Sequence, residues 1–168
     1  PQQYLRQPEQ RSYYERKIAS LRQAGLLLAI SDYSRQEAID ALGLDPERVV
    51  SISTAVDETF CPAELDPAHL AALRARFGIN RPALMCAPGG FDARKNIDGL
   101  VAAWALLPAP VRGAHQLVIA GKINDGERQR LAQLARQHGL APDEMVLTGY
   151  LSDADLVDLY RSAALVVF

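Results

Sequence analysis

Ala83-Leu84-Met85-Cys86-Ala87-Pro88-Gly89-Gly90-Phe91-Asp92-Ala93-Arg94-Lys95-Asn96 is the stretch on which the reading of this chain turns. An apolar run stops at a glycine pair, turns within a few residues and re-enters as a helix, predicted from about Arg94 to Leu107 with Arg94 and Lys95 at its start. A buried strand running into a helix through so tight a turn is the leading half of a βαβ unit. The same layout brings backbone N–H groups, a helix N-terminus and two cations toward one point. Such a point suits a phosphate.

The pattern repeats on the C-terminal side. A strand from Gln116 to Ala120 leads to a helix from about Gly126 to His138, and one from Met145 to Thr148 leads to a helix from about Asp153 to Ala163. Ser152 and Asp155 cap that last helix, and residues 164–168 begin a further strand. On the N-terminal side, Tyr14, Ile18 and Leu21 fall at helical spacing, which predicts an amphipathic helix from about Glu9 to Gln23. The run Leu26 to Ile30 reads as a buried strand. Ser34 and Glu37 form a capping box for a helix that ends at Gly43, and Val49 to Ile52 is the next strand. An irregular proline-containing connection and a helix from about Ala68 to Phe77, stopped by Gly78, complete the chain. Short apolar strands alternating with helices predict an α/β fold, a Rossmann-like doubly wound parallel sheet.

Composition narrows the function. The chain has 168 residues and a net charge of −2, which gives no reason to expect nucleic acid as a partner. No apolar run approaches the ~20 residues of a spanning helix. The first residues lack signal-peptide features and an initiator Met, so the chain reads as a piece of a longer protein, and its end on a strand reads the same way. Cys61 and Cys86 have no neighbours at metal-ligand spacing, so no metal is expected and both thiols read as buried apolar groups.

In open α/β sheets ligands sit beyond the carboxyl ends of the strands. Those ends are here Gly89-Gly90, Gly121-Lys122, Gly149-Tyr150-Leu151 and the position after Phe168. Lys95 reads either as a cation for a diphosphate or as a solvated lysine in the first helical turn. Arg94 points about 100° away from it and has a surface salt bridge as its plainer reading. Lys122 is well positioned but unsupported, and Tyr150 either stacks on a base or covers the core. His69, His115 and His138 belong to no nucleophile or metal constellation. Walker A and Gly-x-Gly-x-x-Gly patterns are absent, against a P-loop NTPase or a standard dinucleotide fold.

Five segments together resemble a known family. Ile30-Ser31-Asp32-Tyr33-Ser34-Arg35 is similar to the "I-S-x-x-S-R" segment of the group 1 retaining nucleotide-sugar glycosyltransferases, which have the two-domain GT-B fold. Residues 50–57 followed by Phe60-Cys61-Pro62 resemble their "V-x-I-P-N-G-V-D…F-x-P" hinge. Residues 89–96 resemble "V-G-T-x-x-P-R-K-N", residues 117–121 resemble "L-V-I-V-G", and residues 146–163 resemble "V-x-F-L-G-Y-V-x-D-x-E-L-x-x-L-Y-x-x-A".

The resemblance implies that residues 1–57 are the tail of the acceptor-side domain and 58–80 a hinge and linker. Residues 81–168 would then be the first half of the nucleotide-sugar-binding domain. It implies transfer from a nucleotide-diphosphate sugar, GDP-linked by preference, to a saccharide or lipid-linked acceptor such as a growing surface polysaccharide. Transfer would be retaining and metal-independent, with no cofactor. Lys95 would be the catalytic cation, neutralising the diphosphate beside Gly89, Gly90, Arg94 and Lys122, while Gly149, Tyr150 and Leu151 flank the base. The location implied is cytoplasmic, with room for peripheral contact at the inner membrane face through the rest of the N-terminal domain. Three departures stand out. Gly90 occupies a position where many relatives carry an arginine, Ser53-Thr54-Ala55 replaces "P-N-G", and the "E-x7-E" segment would follow Phe168. The chain alone is therefore expected not to transfer sugar. The rival reading is a non-catalytic α/β module that binds nucleotide or phosphate, or an interaction domain that uses its strand edge.

Overall fold

A computed structural model describes residues 7–168 of the chain. It divides into two compact units, the first ending at Asp57 and the second running Glu58–Phe168.

The first unit contains α1 (Pro8–Leu21), β1 (Leu27–Ala29), α2 (Asp32–Leu42) and β2 (Val49–Ser51). The strands are parallel, with Leu27 opposite Val49. Arg35 of α2 ties the helix to the sheet, its Nε donating to Val49 O at 2.7 Å and its Nη2 to Pro46 O at 3.1 Å. Three expectations are corrected here. β1 is not a buried strand: Leu26, Leu28 and Ile30 are all more than half exposed, Leu28 at 59%. Strand side chains alternate between faces, and α2 covers only one face of this two-stranded sheet. The cap of α2 is Ser31 rather than Ser34, because Ser31 has the extended backbone of a cap and its Oγ accepts from Ser34 N–H at 3.1 Å. The amphipathic spacing of α1 buries nothing, and Tyr14 and Leu21 are exposed. Spacing marks a face able to pack; burial needs a surface to pack on.

The second unit contains α3 (Pro67–Phe77), β3 (Ala83–Cys86), α4 (Ile97–Ala105), α5 (Ala109–Ala114), β4 (Gln116–Ile119), α6 (Asp125–Gln137), β5 (Met145–Leu147), α7 (Asp153–Ser162) and β6 (Leu165–Val166). The sheet order is β5-β4-β3-β6, all parallel. Alternation along the central strands divides the core in two. Leu117 and Ile119 meet Ile97, Val101, Trp104 and Leu131 of α4 and α6. Met85, Val118 and Ala120 meet Leu73 and Leu159 of α3 and α7 on the other face. Each fully buried aliphatic side chain of this kind contributes about 1.5–3 kcal/mol. The doubly wound expectation holds in this unit. The short helix α5 was not expected from the sequence, and Cys61 is exposed rather than buried.

The amino ends of the strands are fastened by polar groups. Gln116 is 1% exposed and fully satisfied. Its Oε1 accepts from Asn80 and Arg81 N–H at 2.8 and 3.0 Å, and its Nε2 donates to Gly78 and Asp143 carbonyls at 3.3 and 2.9 Å. Arg81 reaches the carbonyls of Arg112, Gly113 and Asp143 beside it. This holds one pole of the sheet rigid and leaves the opposite pole to its turns. Among the described residues no helix is long and apolar enough to cross a membrane.

Candidate functional site

Because the strands are parallel, the turns that follow β3, β4 and β5 open on the same edge of the sheet. The first carries Gly89 at φ +67° and Gly90 at φ +157°, backbone that side-chain-bearing residues rarely adopt. Asp92 then caps a single 3₁₀ turn, Ala93–Lys95, accepting from Arg94 N–H at 3.1 Å. Asn96 follows in the left-handed region, and α4 starts only at Ile97. The expected helix start at Arg94 is thus corrected. The left-handed Asn96, a conformation asparagine tolerates better than most residues, separates the two cations from α4.

That break treats the cations unequally. Arg94 closes on Asp92, Nε to Oδ1 at 2.7 Å and Nη2 to Oδ2 at 3.2 Å, which holds the Asp92 carboxyl below its usual range. Lys95 is exposed, and its ammonium acts on the thiol of Cys86 at the carboxyl end of β3. Burial pushes that thiol up, and Lys95 pulls against it. Lys95 therefore lies within electrostatic reach of the end of the central strand.

The second and third turns are joined. Gly121 and Gly149 form an isolated antiparallel bridge. Gly121 N–H donates to Thr148 Oγ1 at 3.3 Å, and the Thr148 hydroxyl donates to Gly149 O at 3.0 Å. Lys122 is exposed beside them, Tyr150 is 77% exposed, and Leu151 packs against the α3–α7 half of the core. Arg128 on α6 is a residue that sequence reasoning missed. Its Nη1 donates to Leu147 O at 3.1 Å, and its Nη2 would stand 3.4 Å from a Cβ built on Gly149. Arg128 braces the turn from the side, across 19 or more residues of sequence, so only the fold reveals it.

A cleft of about 410 Å³ opens between the first turn and the start of α6, lined by Phe91, Asp92, Asn96, Asp98, Glu127 and Arg130. Arg130 bonds Asp98 at 2.7 Å and Glu127 at 2.9 Å, and these two bonds raise its pKa. The acidic lining gives this cleft the wrong sign for a phosphate, in contrast to the glycine turn beside it. Among the histidines, His69 pairs with Asp158 at 2.8 Å, joining α3 to α7.

The family model described as "Glycosyl transferases group 1" matches residues 71–168. The serotype-specific mannosyltransferase WbdA of Escherichia coli is 31% identical over 167 residues, 99% of this chain and 20% of that protein. The chain thus spans about a fifth of the length of that relative. Among solved structures, WaaG, a glycosyltransferase involved in lipopolysaccharide biosynthesis, matches with a TM-score of 0.71 at 19% identity, covering 97% of this chain and 43% of that one. Anabaena HepE, solved in complex with UDP and glucose, matches with a TM-score of 0.72 at 20% identity, covering 96% and 43%. At these identities the structures speak for the fold, which is the α/β fold expected.

Proposed function

We propose, because this chain belongs to the group 1 glycosyl transferases, that it is part of an enzyme transferring a sugar from a nucleotide-diphosphate sugar to a growing surface polysaccharide. Residues 1–57 supply the end of the acceptor-side domain, 58–80 the hinge and linker, and 81–168 the first half of the donor domain. Lys95 neutralises the charge that develops on the leaving diphosphate, and Gly89 and Gly90 let the backbone approach it closely. Lys122 adds a second cation, and Gly149, Tyr150 and Leu151 flank the base. Transfer proceeds with retention and without a metal or cofactor, in the cytoplasm and against the inner face of the membrane. The donor is GDP-linked. The mannosyltransferase relative supports that choice, and the UDP-bound neighbour supports UDP as the competitor.

The observation that carries this reading is the glycine turn at the end of β3, with positive φ at Gly89 and Gly90 and an exposed Lys95 closing the turn that follows. A thermal-shift titration of the chain with GDP, UDP and their sugars tests it. A nucleoside diphosphate should raise the melting temperature, because it binds the folded form. In Lys95→Ala the affinity should fall roughly 10- to 100-fold, the equivalent of a charge-assisted hydrogen bond of about 1.5–3 kcal/mol. If no nucleotide shifts the wild type, the donor-site assignment is lost.

A further inference from the structure

Immediately past the boundary between the units, residues 59–61 have neither helix nor strand and are exposed, yet α7 grips them. Arg161 Nε donates to Cys61 O and Nη2 to Thr59 O, both at 3.0 Å, and Nη2 lies 3.7 Å from Cys61 Sγ. Behind the guanidinium, Nη1 donates to Asp158 Oδ1 at 3.2 Å, while Asp158 Oδ2 is 2.8 Å from His69 Nε2 of α3. Phe60, between the two accepting carbonyls, sets its ring edge-on to Tyr160 at 6.0 Å between centroids. A planar fork spent on two carbonyls and fixed by a carboxylate is a rigid joint, which a point-charge ammonium could not reproduce. Upstream the chain is different. Ile52 N–H still donates to Ala29 O at 2.9 Å, and after it residues 53–56 carry no helix or strand, with Ser53 at φ +61° without being glycine.

We infer that Arg161 is a positioning residue that fastens residues 59–61 to α7, so that bending of the connection is confined to residues 53–56. Within the connection assigned above to residues 58–80, the Phe60-Cys61-Pro62 segment is then an anchor of the donor unit, and the bending part of the hinge lies just before it. α7 starts directly after the turn at Gly149–Leu151 and ends at this clamp. One helix therefore links the connection to the base-flanking turn. The link to catalysis rests on the donor-site reading; the clamp itself does not.

Limited proteolysis and hydrogen exchange on the chain test the clamp. Wild type should be cut and exchange within 53–56, with 59–62 protected. Arg161→Ala should extend cleavage into 58–65, with Trp104 fluorescence reporting an intact second unit, and Arg161→Lys should recover only part of the protection. Phe60→Ala, which keeps every Arg161 bond, should shift the map less in the same direction, and it decides the matter if Arg161→Ala does not fold. In the protein that carries both complete domains, Arg161→Ala should lower kcat, by up to about a hundredfold for a misplaced geometry, with the dissociation constant for nucleoside diphosphate unchanged. Equal cutting of 53–56 and 59–61 in wild type overturns the clamp. So does an Arg161→Ala protein with wild-type cleavage and kcat. A wild type that binds no nucleoside diphosphate defeats the donor-site reading alone, and the cleavage map still decides the clamp.

Discussion

Arg94 and Lys95 carry the same charge side by side, and the structure gives them different prospects. An anion approaching Arg94 would compete with Asp92, already bonded through two oxygens. Exposed pairs of this kind contribute little to stability, yet this one holds the guanidinium on Asp92. Arg94→Ala should therefore change nucleoside diphosphate affinity by less than about fivefold, well short of Lys95→Ala, as calorimetric titration would show. A second residue-scale prediction concerns Gly99. On helix propensity alone Gly99→Ala should stabilise α4 by about 1 kcal/mol. Yet the new Cβ would stand 2.6 Å from both terminal atoms of the Asn96 amide, next to Lys95. We expect no rise in melting temperature and weaker nucleotide binding; a clear rise would show that Asn96 yields freely. The glycine pair was legible in the sequence because only its backbone requirement had to be recognised. The left-handed Asn96 was not, since Arg94 to Leu107 also reads as one uninterrupted helix.

At the scale of elements, the amino pole of the second unit hangs on one side chain. Gln116→Leu would strand the Asn80 and Arg81 N–H groups and the Gly78 carbonyl, while Asp143 O keeps its bond from Arg81. These partners sit at a partly exposed edge, so the loss in urea unfolding should be about 1–3 kcal/mol, the cost of one unsatisfied buried group. The α3–α7 contact has a pH signature. The Asp155 carboxyl is held below its ordinary value of 3.8, first by the bond from Arg76 and then by Ser152. Its contribution is complete above that value. Below it the unfolded chain takes up the proton first, and the contribution is lost as pH falls through the lowered folded value. Asp155→Asn should flatten this part of the acid limb of stability. The cap at Ser152 was readable because it is a bond between residues three apart. Ser31 and Ser34 satisfied the same spacing logic, and only the extended backbone at Ser31 decides between them. α5 was hidden by Pro108, Pro110 and Gly113, which argue locally against a helix. Its own Arg112 ties it to its surroundings, donating to Leu107 O and to Glu144, both at 3.2 Å. Gln116 looked like one more strand residue, as its partners lie 27 to 38 positions away.

For the whole molecule, the two units differ in what they bury. Among the described residues the buried apolar side chains of the first unit are Leu44 and Val49, while the second buries the rest. The only tryptophan of the chain, Trp104, is 3% exposed within the second unit. The first unit should therefore unfold at lower urea, with far-ultraviolet circular dichroism changing before tryptophan fluorescence. Coincident transitions would show one cooperative unit instead. Sugar transfer should be absent from the 168-residue chain and present in the longer protein; equal turnover by the two would refute that. The bridge between Gly121 and Gly149 bears on how donor preference can be re-engineered. The two loops share backbone contacts, so a loop graft that replaces one leaves the other shaped for a partner it no longer has. Residues 121–122 and 148–151 should be transplanted as one cassette, together with the arginine at 128 that props it.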